Sequence, residues 1–330
     1  MTRSRPRLLG LLLIILLAAV WVLLPEVAYR AVAGAERTYS GVYRAELDLD
    51  GRTIAYLEGG QGPNLLLLHG FGSNKDTWNR MSRLLTPDFH VVAPDLPGFG
   101  ESDLADGTDY SVPAQVERVR AFADALGLTR FYVGGSSMGG NIAGAFAARY
   151  PEMVEGLWMI SPLGVAGAEP SEMDRITIEQ GESPLIIEQP SEFKLLLKLA
   201  FEDKPWIPKP VIHHHAQEAA ARYNHYHWIY GQLHIDGPQG TRPVTPLQPL
   251  IAGTSVPTLI HWGEKDRILD VSGAYLLVDA IPSAELLIMP DVGHMTMMER
   301  PEESVDSFAR FAGKNGTTSG ENAGEVDTTP

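Results

Sequence analysis

Short apolar runs alternate with amphipathic segments along most of the chain. Eight segments have the length and pattern of strands, and six of them, from "NLLLLHG" to "AELLIMP", are apolar enough to be buried on both faces of a sheet. Between them, "VPAQVERVRAFADALGL" places Val116, Val119 and Phe122 on one stripe, which predicts a helix. Repeated strand–helix units predict an α/β fold with a mostly parallel, eight-stranded sheet and helices on both faces.

The first two predicted strands have a different pattern. "VYRAELDLDG" and "RTIAYLEGG" alternate between apolar and polar residues with period 2, and they meet at Asp50-Gly51. An Asp-Gly pair between alternating segments is a strong signal for a two-residue turn. We therefore expect an antiparallel hairpin at one edge of the sheet.

Three regions interrupt or flank this alternation. Residues 165–248 contain helix-forming segments such as "SEFKLLLKLAFED", several prolines and most of the histidines, which predicts a helical cap inserted after the sixth strand, "VEGLWMISP". The core would then consist of residues 36–164 and 249–313. Residues 314–330 have too few apolar side chains to order themselves, so we predict a disordered tail.

Residues 1–35 are predicted to be a membrane anchor. The run "LLGLLLIILLAAVWVLL" from Leu8 to Leu24 carries no charge and would be roughly 25 Å long as a helix. Three arginines precede it, which predicts a single pass through the inner membrane with the body on the extracytoplasmic side. The alternative is a signal peptide cleaved at the small residues 31–33, which would give a secreted protein. Neither a strand nor a predicted catalytic residue lies in residues 1–35, so their removal is expected to leave a soluble, active protein.

Charge and composition exclude several classes of function. The formal net charge is −15, and the body of the chain has no cluster of Lys and Arg, so we expect no nucleic-acid binding. The chain has no cysteine, which excludes disulfides, thiolate metal ligands and a cysteine nucleophile.

The segment "GGSSMGG" lies between the apolar strand "RFYV" and a helix of small residues. A strand that turns abruptly into a helix needs small neighbours around its turn residue, and the pattern G-x-S-x-G meets that need. Only the register from Gly135 to Gly139 fits, which makes Ser137 the candidate nucleophile and Ser136 a packing residue. A phosphate-binding loop is the alternative, but no lysine follows and the glycine spacing fits neither common nucleotide motif.

A serine nucleophile requires a base and an acid, which follow it along the chain in this arrangement. His294 follows the last strand in "MPDVGHMTMMERP" and is the predicted base. Asp266, just after the strand "VPTLIHWG", is the predicted acid, in preference to Asp270 and Asp291. Asp270 has the pattern of a helix N-cap, and Asp291 is too close to His294 in sequence.

Two backbone N–H groups are expected to bind the oxyanion. One belongs to Met138, the residue after the nucleophile, and the other to Phe71 in "HGFG", after the third strand. Such donors stabilise the developing negative charge by a few kcal/mol each. No cofactor and no metal ion enter this scheme.

Five segments together resemble the α/β-hydrolase superfamily: "LLLLHGFGSNKDTWNRM", "VVAPDLPGFGES", "VGGSSMGGNIAGAFAARYPEMVEGLWMISPLG", "PTLIHWGEKDRI" and "MPDVGHMTMMERPEE". More narrowly, the chain resembles cold-adapted bacterial lipases of the Psychrobacter/Moraxella type and monoacylglycerol lipases of the ABHD6 type. The resemblance covers roughly residues 40–312 and is weakest in the cap. It implies that Ser137, Asp266 and His294 form a triad, with Phe71 and Met138 as the oxyanion pair.

The function expected from this resemblance is hydrolysis of lipid-derived carboxylic esters through an acyl-enzyme, with a monoacylglycerol lipase as the narrower hypothesis. A hydrolase of C–C bonds in ring-fission dienones is the alternative of the same fold, and a non-catalytic binding protein is the second alternative. The histidines of "IHHH" (213–215) and "YNHYHW" match no family motif. Adjacent helical residues point in different directions, so at most one or two of the first group would share an ion with His225 or His227, and we expect no metal site.

Overall fold

The computed structural model of the chain describes residues 25–104, 107–237 and 240–318. Its strands, in chain order, are β1 (Val42–Leu49), β2 (Arg52–Gly59), β3 (Asn64–Leu68), β4 (His90–Pro94), β5 (Phe131–Ser136), β6 (Val154–Ile160), β7 (His234–Gly237), β8 (Gly240–Pro243), β9 (Thr258–Gly263) and β10 (Glu285–Met289).

The helices of the described residues alternate with these strands. They are α1 (Pro25–Tyr39), α2 (Asn79–Leu85), α3 (Val112–Ala125), α4 (Met138–Arg149), α5 (Glu172–Gln180), α6 (Phe193–Ala200), α7 (Lys209–Ala221), α8 (Tyr223–Leu233), α9 (Gln248–Ile251), α10 (Ser272–Ala280), α11 (Thr296–Glu299) and α12 (Pro301–Thr318). Two short 3₁₀ helices cover Lys75–Trp78 and Pro151–Met153.

Eight of the strands form one sheet in the order β1-β2-β4-β3-β5-β6-β9-β10. The first two pairings of this order, β1 with β2 and β2 with β4, are antiparallel, and the remaining pairings are parallel. The hairpin predicted at one edge is therefore confirmed, and it turns at Asp50 and Gly51, whose φ angles are 54° and 78°. Two consecutive positive φ angles are typical of a type I′ turn, whose backbone twist fits the right-handed twist of the two strands that it connects.

The centre of the sheet is buried on both faces, as its unbroken apolar runs predict. Along β3, Leu66 and Leu68 pack into a core that includes α3 and α4, whereas Leu65 and Leu67 pack into a second core that includes α2 and α12. This alternation follows from the period of two residues along a strand. The α/β fold with helices on both faces is confirmed.

The cap follows β6, as predicted, and contains α5 to α8. It also contains a small antiparallel hairpin of β7 and β8, which the helical pattern did not indicate. The four-residue strands of this hairpin leave little hydrophobic periodicity to read from the sequence.

The C-terminal end of the described residues differs from the prediction. Helix α12 runs to Thr318, inside the segment predicted to be disordered, because it packs Phe308 and Phe311 against the sheet and continues beyond them. At the other end, the predicted anchor run Leu8–Leu24 lies outside the described residues. No helix among the described residues has the length and apolar character needed to cross a membrane.

Helix α1 begins within the segment that the sequence pattern assigned to the anchor. It packs against α7 of the cap, and its last turn is fixed to the core. There Arg37 donates two hydrogen bonds to the Asp76 carboxylate, at 2.7 and 2.6 Å. Residues 25–35 therefore belong to the folded body, which corrects the predicted boundary at residue 35.

Candidate active site

Ser137 occupies the turn between β5 and α4. Its φ and ψ angles are 54° and −119°, a conformation that is strained for any residue with a Cβ atom. The glycines on either side are required by space: a Cβ atom at Gly135 would lie 2.2 Å from the carbonyl oxygen of Gly139, and one at Gly139 would lie 2.1 Å from that of Leu68. Ser136, by contrast, is the buried last residue of β5. The strained turn therefore holds Ser137 where a strand ends and a helix begins.

The predicted base and acid are brought together. The Nδ1 atom of His294 lies 2.7 Å from Oδ2 of Asp266, and both side chains are almost completely buried. The other oxygen of Asp266, Oδ1, accepts hydrogen bonds from the N–H groups of Ile268 and Leu269, both at 2.9 Å. Because two backbone donors fix the carboxylate, it in turn fixes the orientation of the imidazole ring.

The competing aspartates have other positions. Asp270 lies at the start of α10, where its Oδ1 accepts a hydrogen bond from the N–H of Ser272 at 2.9 Å, although the N-cap itself is Val271. Asp291 is exposed in the loop before His294 and has a φ angle of 54°. The imidazole of His294 is bound by Asp266 and not by either of these aspartates.

Ser137 and His294 both line one cavity of about 200 Å³ between the core and the cap. Most of its wall is apolar. The apolar residues come from the cap, from the segment after Asp266 and from the segment after His294. They are Leu185, Phe193, Leu196, Leu197, Ala200, Phe201, Ile207, Val211, Ile212, Ile268, Met295, Met297 and Met298. The cavity therefore places the hydroxyl of Ser137 and the imidazole of His294 beside a long apolar surface.

The predicted oxyanion residues flank Ser137. Met138 is the first residue of α4, and Phe71 lines the cavity. The loop before Phe71 approaches closely, since a Cβ atom at Gly70 would lie 3.3 Å from Cβ of Ser137. The 70–71 segment and the N-terminus of α4 thus border the serine from two sides.

His69 supports this loop, a role that the sequence reasoning missed. Its Nε2 accepts the N–H of Leu96 at 2.9 Å, so Nδ1 carries the hydrogen and donates it to the carbonyl of Gly70 at 2.8 Å. Burial lowers the pKa of His69, which keeps the ring neutral for this bridging role. The signal available in the sequence was a histidine at the end of a buried strand.

A buried ion pair holds the same loop from its far side. Lys75 and Asp95 are both fully buried, with Nζ and Oδ2 separated by 2.7 Å. Asp95 also accepts the backbone N–H of Lys75 at 2.6 Å and that of Glu101 at 2.7 Å. These contacts attach the segment that follows Phe71 to the end of β4. Sequence periodicity gives no sign of such a pairing.

Glu299 connects the His294 loop to the cap. Its Oε1 accepts the N–H of Gly293 at 3.0 Å and that of Glu202 at 3.2 Å, and its Oε2 accepts the N–H of Asp203 at 2.8 Å. One buried carboxylate therefore satisfies donors from both sides of the cavity. The residue before His294 and the cap segment after α6 are held by the same group.

Helix α1 forms part of the cavity wall. Tyr29, Ala33 and Glu36 all line it, together with Ser137 and His294. The prediction that removal of residues 1–35 leaves an active protein did not take this contribution into account, because Tyr29 and Ala33 lie in the removed segment. The pattern could not indicate this, because α1 approaches the cavity by packing on a cap helix far away in sequence.

A serine on a strained strand-to-helix turn, in one cavity with a carboxylate-bound histidine at the carboxyl ends of a parallel sheet, is the arrangement of serine hydrolases with an α/β core. The sequence model of the alpha/beta hydrolase family matches residues 65–307, and the chain belongs to this family. The resemblance inferred from the five sequence segments is thereby confirmed.

The relatives are lipases. The chain is 36% identical to Lipase 1 of Psychrobacter immobilis over 281 residues, which are 84% of this chain and 86% of that protein. It is 30% identical to monoacylglycerol lipase ABHD6 of Homo sapiens over 260 residues, 76% of each chain. A solved structure described as a membrane phospholipase A and bacterial virulence factor has a TM-score of 0.83 and 39% identity, with coverage of 94% of this chain and 99% of the other.

Proposed function

We propose that the protein is a serine carboxylic-ester hydrolase, a lipase or esterase, that acts on lipid-derived esters. The observation that carries this proposal is the cavity in which Ser137 and the Asp266-bound His294 lie beside a long apolar wall. The named activities of the relatives, lipase, monoacylglycerol lipase and phospholipase A, all cleave carboxylic esters of lipids. A monoacylglycerol is the narrower substrate hypothesis.

The chemistry follows from the hydrogen bonds of the base. Since Nδ1 of His294 donates its hydrogen to Asp266, Nε2 has the lone pair that removes the proton of Ser137. Ser137 Oγ then attacks the ester carbonyl, and the N–H groups of Met138 and Phe71 stabilise the oxyanion. His294 returns the proton to the leaving alcohol, and a water molecule later releases the acid from the acyl-enzyme by the same steps. No cofactor takes part.

An ester series with paired serine variants tests this proposal. We expect hydrolysis of p-nitrophenyl esters and of monoacylglycerols, abolished in Ser137→Ala and largely kept in Ser136→Ala. A fluorophosphonate probe should label the unmodified enzyme and Ser136→Ala but not Ser137→Ala. Activity lost in Ser136→Ala but kept in Ser137→Ala would mean that the nucleophile is misassigned.

The same series separates the competing functions. A ring-fission dienone cleaved faster than any ester would favour the C–C hydrolase, which the lipase relatives do not support. No turnover of either substrate class, together with no labelling by the fluorophosphonate, would favour a binding protein. Each outcome is read on the same preparation, with circular dichroism as the control for folding.

We also propose that Leu8–Leu24 anchors the enzyme in the cytoplasmic membrane, with its body on the extracytoplasmic side. Three arginines precede this run, and its length suits a single span. The arrangement of α1 supports an uncleaved anchor, since cleavage after residue 33 would remove Tyr29 and Ala33 from the cavity wall. The acidic body would be repelled by anionic headgroups, so charge alone does not replace such a tether.

Two truncations test the anchor and the role of α1 together. Removal of residues 1–24 should give a soluble enzyme that keeps its activity, because α1 stays complete. Removal of residues 1–35 should give a soluble protein with clearly lower activity, because two residues of the cavity wall are lost.

Membrane fractionation and N-terminal sequencing provide the controls. A full-length protein that is soluble and begins near Gly34 would identify a cleaved signal peptide. A protein that lacks residues 1–24 and remains on membranes would make the cap the membrane-binding element. Equal activity of both truncated forms would contradict the role of α1.

A further inference from the structure

Three side chains with metal-binding atoms converge on one side of α7. His214 and Glu218 are four residues apart and His215 and Glu218 three apart, so both imidazoles neighbour the same carboxylate one turn further on. Nε2 of His214 lies 3.8 Å from Oε2 of Glu218, and Nδ1 of His215 lies 3.7 Å from the same oxygen. The three ligand atoms all lie within 4.8 Å of one another. The geometry of the helix thus places both imidazoles next to the carboxylate of Glu218.

The orientation of His214 is fixed from outside the cap. Its Nδ1 lies 2.7 Å from Oε2 of Glu26 on α1, and its ring stacks on Tyr29 with centroids 3.6 Å apart. A carboxylate on one imidazole nitrogen fixes the tautomer and leaves the other nitrogen as a lone-pair donor, which is the usual outer-shell arrangement of metal-binding histidines. Nε2 of His214, the free side of the ring, faces Glu218.

Burial and charge also suit a cation. The side chains of the three residues are 20%, 26% and 18% exposed, so they are partly shielded from water. Oε2 of Glu218 faces both histidines. Arg222 contacts the other oxygen, Oε1, at 3.0 Å, and leaves Oε2 to the histidines.

We propose that Nε2 of His214, Nδ1 of His215 and Oε2 of Glu218 bind a divalent transition-metal ion such as Zn²⁺. Two imidazoles and one carboxylate are a donor set that Zn²⁺ and Ni²⁺ accept, with water completing the coordination. Ligand atoms about 2.1 Å from a tetrahedral ion are about 3.4 Å apart, so the two separations to Oε2 of Glu218 need to close by only a few tenths of an ångström.

No such site is expected from the sequence, in which His225 and His227 are the candidate partners. The structure instead places Nε2 of His225 3.0 Å from the carbonyl oxygen of Gly98, a contact away from this cluster. The acid that completes the cluster comes from the same helix, and the acid that orients it comes from α1. An ion here would tie α1 to the cap beside the cavity that both Tyr29 and His215 line.

The test uses the untagged full-length protein in detergent micelles, with Zn²⁺ or Ni²⁺ added after treatment with a chelator. Calorimetric titration should show one bound ion per chain, and the midpoint of thermal unfolding should rise on the order of 4 °C at a concentration 100 times the dissociation constant. His214→Gln, His215→Gln and Glu218→Gln should each abolish both effects. Glu26→Gln, which keeps all three ligands, should weaken binding about 10- to 100-fold.

His213→Gln is the matched control, because His213 is an exposed neighbour on the same helix and lies outside the cluster. It should bind the ion as the unmodified protein does. Circular dichroism establishes that each variant is folded before its binding is measured. The absence of binding to the unmodified protein, or full binding by folded His214→Gln and Glu218→Gln variants, would overturn the proposal.

Discussion

The replacement of Asp266 by Asn tests the candidate site most directly, because it replaces one carboxylate oxygen by an NH₂ group and keeps the side-chain shape. The carboxylate has two separate tasks: Oδ2 accepts from His294, and Oδ1 accepts from the N–H groups of Ile268 and Leu269. An amide has one oxygen and one NH₂ group, so it performs only one of these tasks. The outcome depends on which orientation the amide takes.

The two backbone hydrogen bonds decide the orientation. If the amide oxygen turned toward His294, its NH₂ group would face two buried N–H donors, and each unsatisfied donor costs about 1–3 kcal/mol. The oxygen therefore stays on Ile268 and Leu269, and the NH₂ group faces Nδ1 of His294. Nδ1 must then accept a hydrogen bond, which moves the imidazole hydrogen to Nε2, the atom that has to remove the serine proton.

We expect kcat of Asp266→Asn to fall by about 10⁴, the loss found for the same tautomer error in a serine protease, which corresponds to about 5.4 kcal/mol of transition-state stabilisation. The assay is hydrolysis of a short p-nitrophenyl ester, with circular dichroism to establish folding. Asp270→Asn and Asp291→Asn are matched controls that should keep kcat nearly unchanged. A kcat for Asp266→Asn close to that of the unmodified enzyme would refute the assignment of the acid.

Two further predictions concern the groups that hold the site in place. Lys75→Met should lower the free energy of unfolding by about 3–5 kcal/mol in urea titrations, because it leaves the buried charge of Asp95 without its partner; a loss well below that range would show that the backbone donors suffice. Glu299→Gln should lower both stability and kcat, because an amide cannot accept from Gly293 and Asp203 on opposite oxygens; unchanged kcat would make the contact purely structural.

The sheet and the strand-to-helix turn at Ser137 were predictable because each depends on residues that are close in sequence. An unbroken apolar run such as Leu65–Leu68 has few alternatives to a strand buried on both faces, and the structure alternates these residues between two cores. Asp50-Gly51 specifies its turn through two residues that tolerate positive φ. The register of Ser137 likewise follows from which glycines lack room for a Cβ atom.

The supports of the site were not predictable, because they join residues that are distant in sequence and have no periodic pattern. Lys75 and Asp95 look like surface charges in the sequence, yet both are fully buried. Glu299 lies in an acidic stretch typical of a helix start, but its carboxylate faces inward to backbone donors 96 and 97 residues away. A buried charge can be recognised only when its partners are known.

Helix α1 is a second case in which contacts between residues distant in sequence were not predictable. The hydropathy pattern assigned residues 1–35 to the anchor, although the apolar run ends at Leu24. Yet α1 is held at three points: by Glu26 on His214, by Tyr29 against the same ring, and by Arg37 on Asp76. Two of these contacts are to the cap and one is to the core, so the helix bridges both parts at the cavity. A tether that leads directly into this helix would place a wall of the acyl site next to the membrane, where lipid esters are found. The difference between the two truncations follows from this connection: residues 1–24 would set where the enzyme works, and residues 25–39 help to form the site itself.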